Sequence, residues 1–245
     1  MSSNSTQKPQ GKARTHRSQG LFWTLLSVVT SLFIVISLIG CGIFICCTNM
    51  SSEILSKNFS QWEGSGFTQE QIVEAALATK DYTVVDNNEE KLMDELRRIT
   101  GLEDPSRLLD GEVLSHLDDV YYVVDGGRGV IIGLMIASFV LCVFLALSGK
   151  KQLLGATLRR AGGSVFGIFV ALALWCLIDF NGFFTLLHSL FFADGTWLFD
   201  AKSLLIRMYP TQFWIGMGVV WLCTSLICSV LCFILGTLLK RKKRL

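Results

Sequence analysis

The sequence predicts an all-α membrane protein with four transmembrane helices, because its apolar residues gather in four long runs. Hydrophobic residues make up 51% of the chain and charged residues only 17%, whereas a soluble domain carries roughly 25% charged residues. Each run holds about 19 to 27 residues, enough for a helix to cross roughly 30 Å of hydrocarbon. Lipid offers the backbone no hydrogen-bond partners, so each run is expected to be helical. The predicted spans are residues 21–47, 130–148, 161–184 and 213–239.

The distribution of charge predicts that both chain termini are cytoplasmic. The tail 1–20, the loop 149–160 and the tail 240–245 together hold 13 basic residues and no acidic residue. Because Lys and Arg remain on the cytoplasmic side during insertion, residues 48–129 and 185–212 are expected to be extracytoplasmic. The first of these carries 17 acidic and 7 basic residues, a charge balance that does not suit nucleic acid. Membrane lipids are the expected partners, and the basic tails either bind anionic headgroups or simply fix the topology.

Residues 48–129 carry the patterns of a mostly helical extracytoplasmic cap. Thr68 and Gln71 predict a capping box at the start of one helix. A second helix is predicted near residues 89–100, with Gly101 as its C-terminal stop. Each helix has only one short apolar stripe, so the two are expected to pack on each other and to lie over the mouth of the bundle.

A third helix is predicted to lead from this cap into the second span. It begins at Asp110 or Ser115, and its apolar face includes Leu117. Gly126 and Gly127 interrupt it, and each costs about 1 kcal/mol relative to alanine in a helix. A bend or a break is therefore expected at these two glycines.

Two of the three histidines, His116 and His188, are candidates for chemistry on the outer side. His188 is expected to stand about 10 Å beyond the lipid boundary. A bend at Gly126 and Gly127 would bring His116 down beside it. They are either a functional pair or two isolated polar residues at helix ends. Asp119, one helical turn after His116, is placed to orient that imidazole. Asp179 lies near the outer end of the third span, where an ionisable side chain indicates function.

The segment after His188 is rich in polar and aromatic side chains, among them Trp197, Asp200 and Arg207. Its aromatic residues fit an interfacial belt and equally an acyl-chain groove. All eight cysteines fall in predicted spans, which excludes a disulfide framework and metal ligation by exposed thiolates. No phosphate-binding glycine loop, zinc HExxH or GxSxG motif occurs. No cofactor or metal is therefore expected, and any catalysis falls to histidine and carboxylate.

The stretch LLHSLFFADGTWLFDAKSLLIRMYPTQFW resembles the signature of the lipoprotein intramolecular transacylases, a bacterial family of four-span membrane proteins. That pattern has a histidine, two phenylalanines, Asn or Asp, tryptophan, Leu-x-Asp, Leu-Ile-Arg, an aromatic-Pro pair and a phenylalanine. The residues that meet it, in order, are His188, Phe191, Phe192, Trp197, Asp200, Leu205, Ile206, Arg207, Pro210 and Phe213. The shorter HLDDV at His116 resembles a second signature of the family. The chain departs from the pattern at Ala201, where proline is expected, and at Leu204, where an acidic residue is expected.

The resemblance implies a specific reaction in the bacterial cytoplasmic membrane, with the active site on the extracytoplasmic face. The sn-2 acyl chain of the diacylglyceryl-cysteine at a lipoprotein N-terminus moves to the α-amine of that cysteine, giving an N-acyl lyso-form lipoprotein. His116 is expected to be the general base or the nucleophile and His188 the partner acid or base, with the order open. Arg207 or Trp197 would stabilise or position the glyceryl oxygens, and Asp200 is a further candidate that alternatively pairs with Arg207.

Two alternatives from other classes remain open at this point. One is a non-catalytic four-span binding or accessory protein, in which the histidines only cap helices. The other is an interfacial lipid ester hydrolase, which would use the same residues with water as the acyl acceptor. The enzyme interpretation requires His116 and His188 to face one cleft that is open to lipid, whereas the accessory protein allows them to point apart.

Overall fold

The computed structural model describes the backbone of residues 10–241 and the side chains of residues 20–240. Over that range the chain is helical and contains no strand. Residues 1–9 and 242–245, which belong to the two predicted basic tails, lie outside the described residues. The elements in chain order are α1 (Gln10–Cys46), α2 (Asn49–Phe59), α3 (Gln69–Val84), α4 (Glu89–Thr100), a 3₁₀ turn (Pro105–Arg107), α5 (Gly111–Leu147), α6 (Lys151–Ile178), α7 (Phe180–Phe191), α8 (Leu204–Met208) and α9 (Thr211–Arg241).

Four of the described helices are long and apolar enough to cross a membrane, as the sequence predicts. They are Gly20–Cys46 within α1, Gly111–Leu147, Lys151–Ile178 and Thr211–Lys240 within α9. Large apolar side chains remain exposed along all four helices. Contact with lipid tails rather than with water accounts for this exposure.

Glycines let α6 and α9 touch backbone to backbone. A Cβ built on Gly236 would lie 2.7 Å from the carbonyl oxygen of Gly155, and a Cβ on Gly155 would lie 2.7 Å from that of Gly236. Farther along the same interface, the Ser229 hydroxyl donates a hydrogen bond of 2.7 Å to the carbonyl of Gly162. Small residues at such contacts are typical of helices that associate in lipid.

Small hydroxyl side chains hold α1 against α6. The hydroxyl oxygens of Ser27 and Thr157 are 2.7 Å apart, and the Ser31 hydroxyl donates to the Thr157 carbonyl at 3.2 Å. Farther along α1, the Trp221 indole N–H donates to the carbonyl of Ile39 at 2.9 Å, which joins α9 to α1. The bundle is thus closed by polar contacts between otherwise apolar helices.

The helical insert, residues 48–110, does not enclose a core of its own. Its buried apolar residues form one cluster with the first turns of α5 and with α8. The members are Ile72, Ala75, Ala76, Tyr82, Leu92, Leu96, Leu109, Val113, Leu117, Leu204, Leu205 and Met208. The capping box of Thr68 and Gln71 and the left-handed stop at Gly101 (φ 72°) are confirmed.

Helix α2 was not predicted from the sequence. Thr48 caps it by accepting the backbone N–H of Ser51, and the side chains that α2 buries are Ser51, Ser52, Leu55 and Ser56. Three of those four are serines, so α2 has no apolar stripe from which its amphipathic character can be recognised.

Helix α5 continues without a break through Gly126 and Gly127, so the predicted break there is wrong. The helix starts at the Asp110 cap, whose carboxylate accepts the backbone N–H of Val113 at 3.0 Å. Arg128 donates to the carbonyl of Val84 and ties this part of α5 to α3. Continuity satisfies the backbone as the chain enters lipid, and that requirement outweighs the weak helix propensity of two glycines.

The third hydrophobic run, residues 161–184, is divided between α6 and α7. The helix ends at Ile178, and the carboxylate of Asp179 then accepts the backbone N–H of Gly182 at 2.8 Å, which caps α7. A Cβ at position 182 would overlap the Asp179 carboxylate, so a larger residue there would displace the side chain that caps the helix. The interruption lets the chain change direction, and α7 carries His188 in its last turn.

The close approach of α6 and α9 makes Gly236→Ala a test of the bundle. The added methyl would meet the backbone of Gly155 at 2.7 Å, so the helices must move apart, which costs about 1–3 kcal/mol. The midpoint of thermal unfolding in detergent should fall. Gly163→Ala is the matched control, because a Cβ there meets nothing within 4 Å. Equal midpoints for the two variants would contradict this packing.

Candidate active site

His116 lies in the second turn of α5 and is only 8% exposed. Val113, one turn earlier, is buried in the cluster shared with the helical insert, so this face of α5 is fixed by packing. The imidazole contacts two aromatic rings, Phe192 at a centroid distance of 4.9 Å and Phe199 at 5.4 Å. Its position is therefore set by a rigid helix on one side and by the 192–199 loop on the other.

His188 lies against the aromatic residues that surround the end of α7. Its ring centroid is 4.0 Å from that of Phe184 and 4.8 Å from that of Trp197. Its Nδ1 atom is 2.8 Å from the carbonyl oxygen of Phe184. A carbonyl oxygen only accepts hydrogen bonds, so Nδ1 carries the proton and Nε2 keeps a free lone pair.

The two imidazoles share one site, although 71 residues separate them in the sequence. Their ring centroids are 6.4 Å apart and their planes are inclined by 23°. Phe192 contacts both rings, at 4.9 Å from His116 and 5.7 Å from His188. His116 and His188, the histidine pair, therefore lie side by side and do not point apart.

Burial keeps both imidazoles neutral near pH 7. Both residues lie outside the hydrophobic stretches 130–148 and 161–184 that predict the spans. The pKa of His116 is lowered to about 4, mainly by burial and to a smaller extent by the neighbouring His188, while Asp119 opposes the shift. Burial also lowers the pKa of His188, against a smaller opposing effect of the hydrogen bond to Phe184. Each ring therefore holds one nitrogen that is able to accept a proton.

At the histidine pair, two buried polar atoms have no hydrogen-bond partner among the described residues. They are Nδ1 of His116 and the indole Nε1 of Trp197. Leaving such an atom unpaired costs about 1–3 kcal/mol, so each one calls for an explanation. One is on a base and the other is an N–H donor, so together they suit a substrate that both gives a proton and accepts a hydrogen bond.

Asp119 is exposed and forms no hydrogen bond with His116 within the described part of the chain. Its neighbour Asp118 instead has clear partners, accepting hydrogen bonds from the Tyr82 hydroxyl and, at 2.9 Å, from the Asn87 amide. These bonds join α5 to α3 and to the loop that follows α3, just beyond His116. Sequence reasoning gave Asp118 no role, although it stands within the HLDDV signature.

The alternative in which Asp200 pairs with Arg207 is not observed among the described contacts. The Arg207 guanidinium donates to the carbonyls of Lys202 at 3.2 Å, Gln61 at 3.3 Å and Glu63 at 3.2 Å. Asp200 accepts the backbone N–H of Lys202 at 2.7 Å, which closes a turn. Three backbone carbonyls surround the guanidinium in place of a carboxylate, so Arg207 fastens the 61–63 loop to α8.

Asp179 lies at the opposite end of α7 from His188, about 13 Å away along the helix axis. It caps the helix and contributes to the site through the direction of α7. One face of that helix is exposed and apolar, with Leu190 and Phe191 more than half exposed. The histidine pair is thus bordered by an apolar surface of the kind that contacts lipid.

Phe199 borders the site without having been predicted as a site residue. Together with Phe192 it packs against the imidazole of His116. The signal was available, because both residues belong to the aromatic-rich FFADGTWLFD. An interfacial belt gives the same composition, so the sequence alone did not separate site from belt.

The histidine pair does not form part of a larger set of metal ligands. Among the described residues, no group of three or more His, Cys, Asp or Glu side chains is arranged to hold a metal ion. The eight cysteines are free thiols on the spanning helices or next to them. The near neighbours of the pair are aromatic rings.

The chain matches a known family and is similar in fold to solved structures. The sequence model of the family described as lipoprotein intramolecular transacylase Lit matches residues 24–214. The structure of the membrane integral lipoprotein intramolecular transacylase Lit from Bacillus cereus superposes with a TM-score of 0.76 at 20% identity, covering 92% of this chain and 99% of that one. Two variants of that protein, with a histidine replaced by arginine or by alanine, give TM-scores of 0.68 and 0.65 at 18% identity, covering 96% and 94% of this chain and 99% of theirs. No curated protein matches the chain.

The family match runs from α1 into the first turn of α9 and includes both members of the histidine pair. The structural likeness, at 20% identity, shows a shared fold that is integral to the membrane. Four apolar helices agree with it. The chain is a multi-pass membrane protein and belongs to the lipoprotein intramolecular transacylase Lit family.

Proposed function

We propose that this protein moves the sn-2 acyl chain of a diacylglyceryl-cysteine to the α-amine of the same cysteine, on the extracytoplasmic face of a bacterial cytoplasmic membrane. The observation that carries the proposal is the histidine pair, whose rings lie 6.4 Å apart. Family membership supplies the class of substrate, a lipoprotein. Both reacting groups belong to one molecule, so the enzyme has mainly to position them and move protons.

Two neutral imidazoles are suited to the proton transfers of this reaction. The ammonium group of the substrate gives one proton to a ring nitrogen, and the resulting amine attacks the ester carbon. As the C–N bond forms, the second imidazole takes a further proton from nitrogen. The C–O bond then breaks, and the second imidazole gives the proton that it has just taken to the glyceryl oxygen. One proton passes to water overall, and an amide and a free hydroxyl remain.

The tetrahedral intermediate needs a hydrogen-bond donor for its negative oxygen. Trp197 is the candidate, because its indole N–H is buried without a partner and its ring lies 4.8 Å from that of His188. A donor that is already fixed in place stabilises the developing charge without reorganisation. Arg207 is the weaker candidate, because backbone carbonyls already occupy its guanidinium.

Of the two alternatives, the non-catalytic accessory protein fits these observations less well. A non-catalytic accessory protein gives no reason for a buried and a half-buried histidine to share one site with unpaired polar atoms. An ester hydrolase would use the same residues with water as the acceptor. A lipopeptide with a blocked α-amine separates hydrolysis from transacylation, because only a hydrolase releases fatty acid from it.

Replacing either histidine should abolish most of the activity. In His116→Ala and His188→Ala, formation of N-acyl lyso-form lipoprotein should fall about 10²–10⁴-fold, because a proton-transfer group is lost. Mass spectrometry of lipoprotein N-termini measures the product. His16→Ala is the control and should retain the wild-type rate. A wild-type rate in either site variant would contradict the proposal.

The proposal also requires His116 to be neutral at the pH of the reaction. Since the pKa of His116 is lowered to about 4, its imidazole should titrate near pH 4 by nuclear magnetic resonance and stay uncharged above that value. Its pKa should rise in His188→Ala, because the nearby positive charge that lowers it is removed. The reference value for an unperturbed histidine is about 6.5. A midpoint near 6.5 for His116 would contradict the account.

A further inference from the structure

A polar cavity of about 380 Å³ borders His116, between the first turn of α5 and the loop that follows α7. This volume is within the range of pockets that bind small molecules. Its lining includes Glu112, Ser115, His116, Asp194, Thr196 and Phe199. None of its lining residues is basic, so the lining carries two negative charges when both carboxyl groups are ionised.

We infer that this cavity binds the α-ammonium group of the diacylglyceryl-cysteine, with Glu112 and Asp194 as its carboxylate ligands. The inference rests on the proposed function and deepens it, because it assigns the amine of the substrate to one side of the histidine pair. An ammonium group needs acceptors, and carboxylate and hydroxyl oxygens supply them here. The peptide that follows the cysteine leaves through the open mouth of the same cavity.

Both carboxylates are available for a ligand. Neither Glu112 nor Asp194 forms an ion pair or a side-chain hydrogen bond with another described residue. The Asp194 side chain is carried by a tight turn, closed by the hydrogen bond from the Thr196 N–H to the Ala193 carbonyl at 3.2 Å. Gly195 provides the left-handed backbone of that turn, with φ at 86°. Asp194 is thus presented by a fixed loop and not by a free chain end.

His116, which lines the cavity, is a second observation that supports the same ligand. His116 is 92% buried, and its Nδ1 has no hydrogen-bond partner among the described residues. An ammonium group held by the two carboxylates would lie beside this unprotonated ring and could give it a proton. His188 does not line the cavity and contacts Phe184 and Trp197 instead. His116 therefore serves the amine and His188 the glyceryl oxygen.

The test is a binding preference measured with a substrate analogue that cannot react. Dialkylglyceryl-cysteine lipopeptide has ethers in place of the transferable esters, and it is used with a free α-amine and with an acetylated one. The full-length wild-type protein should bind the free-amine form about 10-fold more tightly, as two partly exposed carboxylates would provide. The double variant Glu112→Gln with Asp194→Asn should lose this preference. Higher salt should reduce it in the wild type.

A matched control removes two charges elsewhere. Glu90, like Glu112, is an acidic residue in the first turn of a helix, and Asp125 is an exposed acidic residue outside the cavity. Glu90→Gln with Asp125→Asn should keep the 10-fold preference. Aminophospholipid headgroups carry an ammonium group as well, so vesicles of phosphatidylethanolamine are added as competitor. They should displace the free-amine lipopeptide much less well than unlabelled lipopeptide does.

Three results would overturn the inference: no preference in the wild type, a preserved preference in the Glu112 and Asp194 double variant, or displacement by phosphatidylethanolamine that equals displacement by the lipopeptide. Transacylation of the ester lipopeptide by the wild type is measured in parallel. If N-acyl lyso product forms while any of these results is obtained, the cavity assignment alone fails. If the wild type forms no such product, the proposed function fails.

Discussion

The site depends on one interruption of a helix, at Asp179. If α6 continued as a straight helix, His188 would lie about 15 Å beyond Ile178 along the axis of α6. Instead, the Asp179 carboxylate accepts a hydrogen bond from the Gly182 N–H and caps the start of a new helix. The carboxylate occupies the space that a Cβ on residue 182 would take. The direction of α7 is then set by aromatic packing against the loop and against His116.

The second constraint is burial of the histidine pair among aromatic rings. Removal from water lowers the pKa of both imidazoles and leaves them as bases at neutral pH. The same burial leaves the His116 Nδ1 and the Trp197 N–H without partners. Such groups reduce stability, and a fold retains them where a ligand completes the hydrogen bonds. The rigid start of α5, held by the Asp110 cap and the core of the helical insert, supplies the support.

The surroundings of the pair differ on its two sides in a way that suits an amphipathic substrate. His116 borders a polar cavity that contains two carboxylates, whereas His188 lies among Phe184, Trp197 and the exposed apolar face of α7. The polypeptide and the amine of a lipoprotein belong in water, and its acyl chains belong in lipid. The proposed function requires a site of this kind, with a polar side and an apolar side, because one substrate then satisfies both requirements.

Much of the architecture follows from the sequence, because hydropathy and caps are local signals. The four spans, the Thr68 capping box and the Gly101 stop needed only neighbouring residues to be recognised. The interruption of the helix at Asp179 was not predicted, because the apolar run continues on both sides of that residue. The continuity of α5 through Gly126 and Gly127 was not predicted either. In lipid the backbone must keep its helical hydrogen bonds, and this requirement outweighs the low helix propensity of glycine. The contacts of Arg207 with distant carbonyls depend on tertiary folding and leave no sequence pattern.

The most direct measurement is the transacylation rate of the protein that lacks both imidazoles, compared with the rates of the two single alanine variants. When two residues act as one catalytic unit, replacing either one removes the contribution of both. The double substitution should therefore reduce the rate no further than the more damaging single substitution does. Losses that multiply would mean that His116 and His188 act at separate places. An undiminished yield of N-acyl lyso-form lipoprotein would show that the reaction does not use the pair.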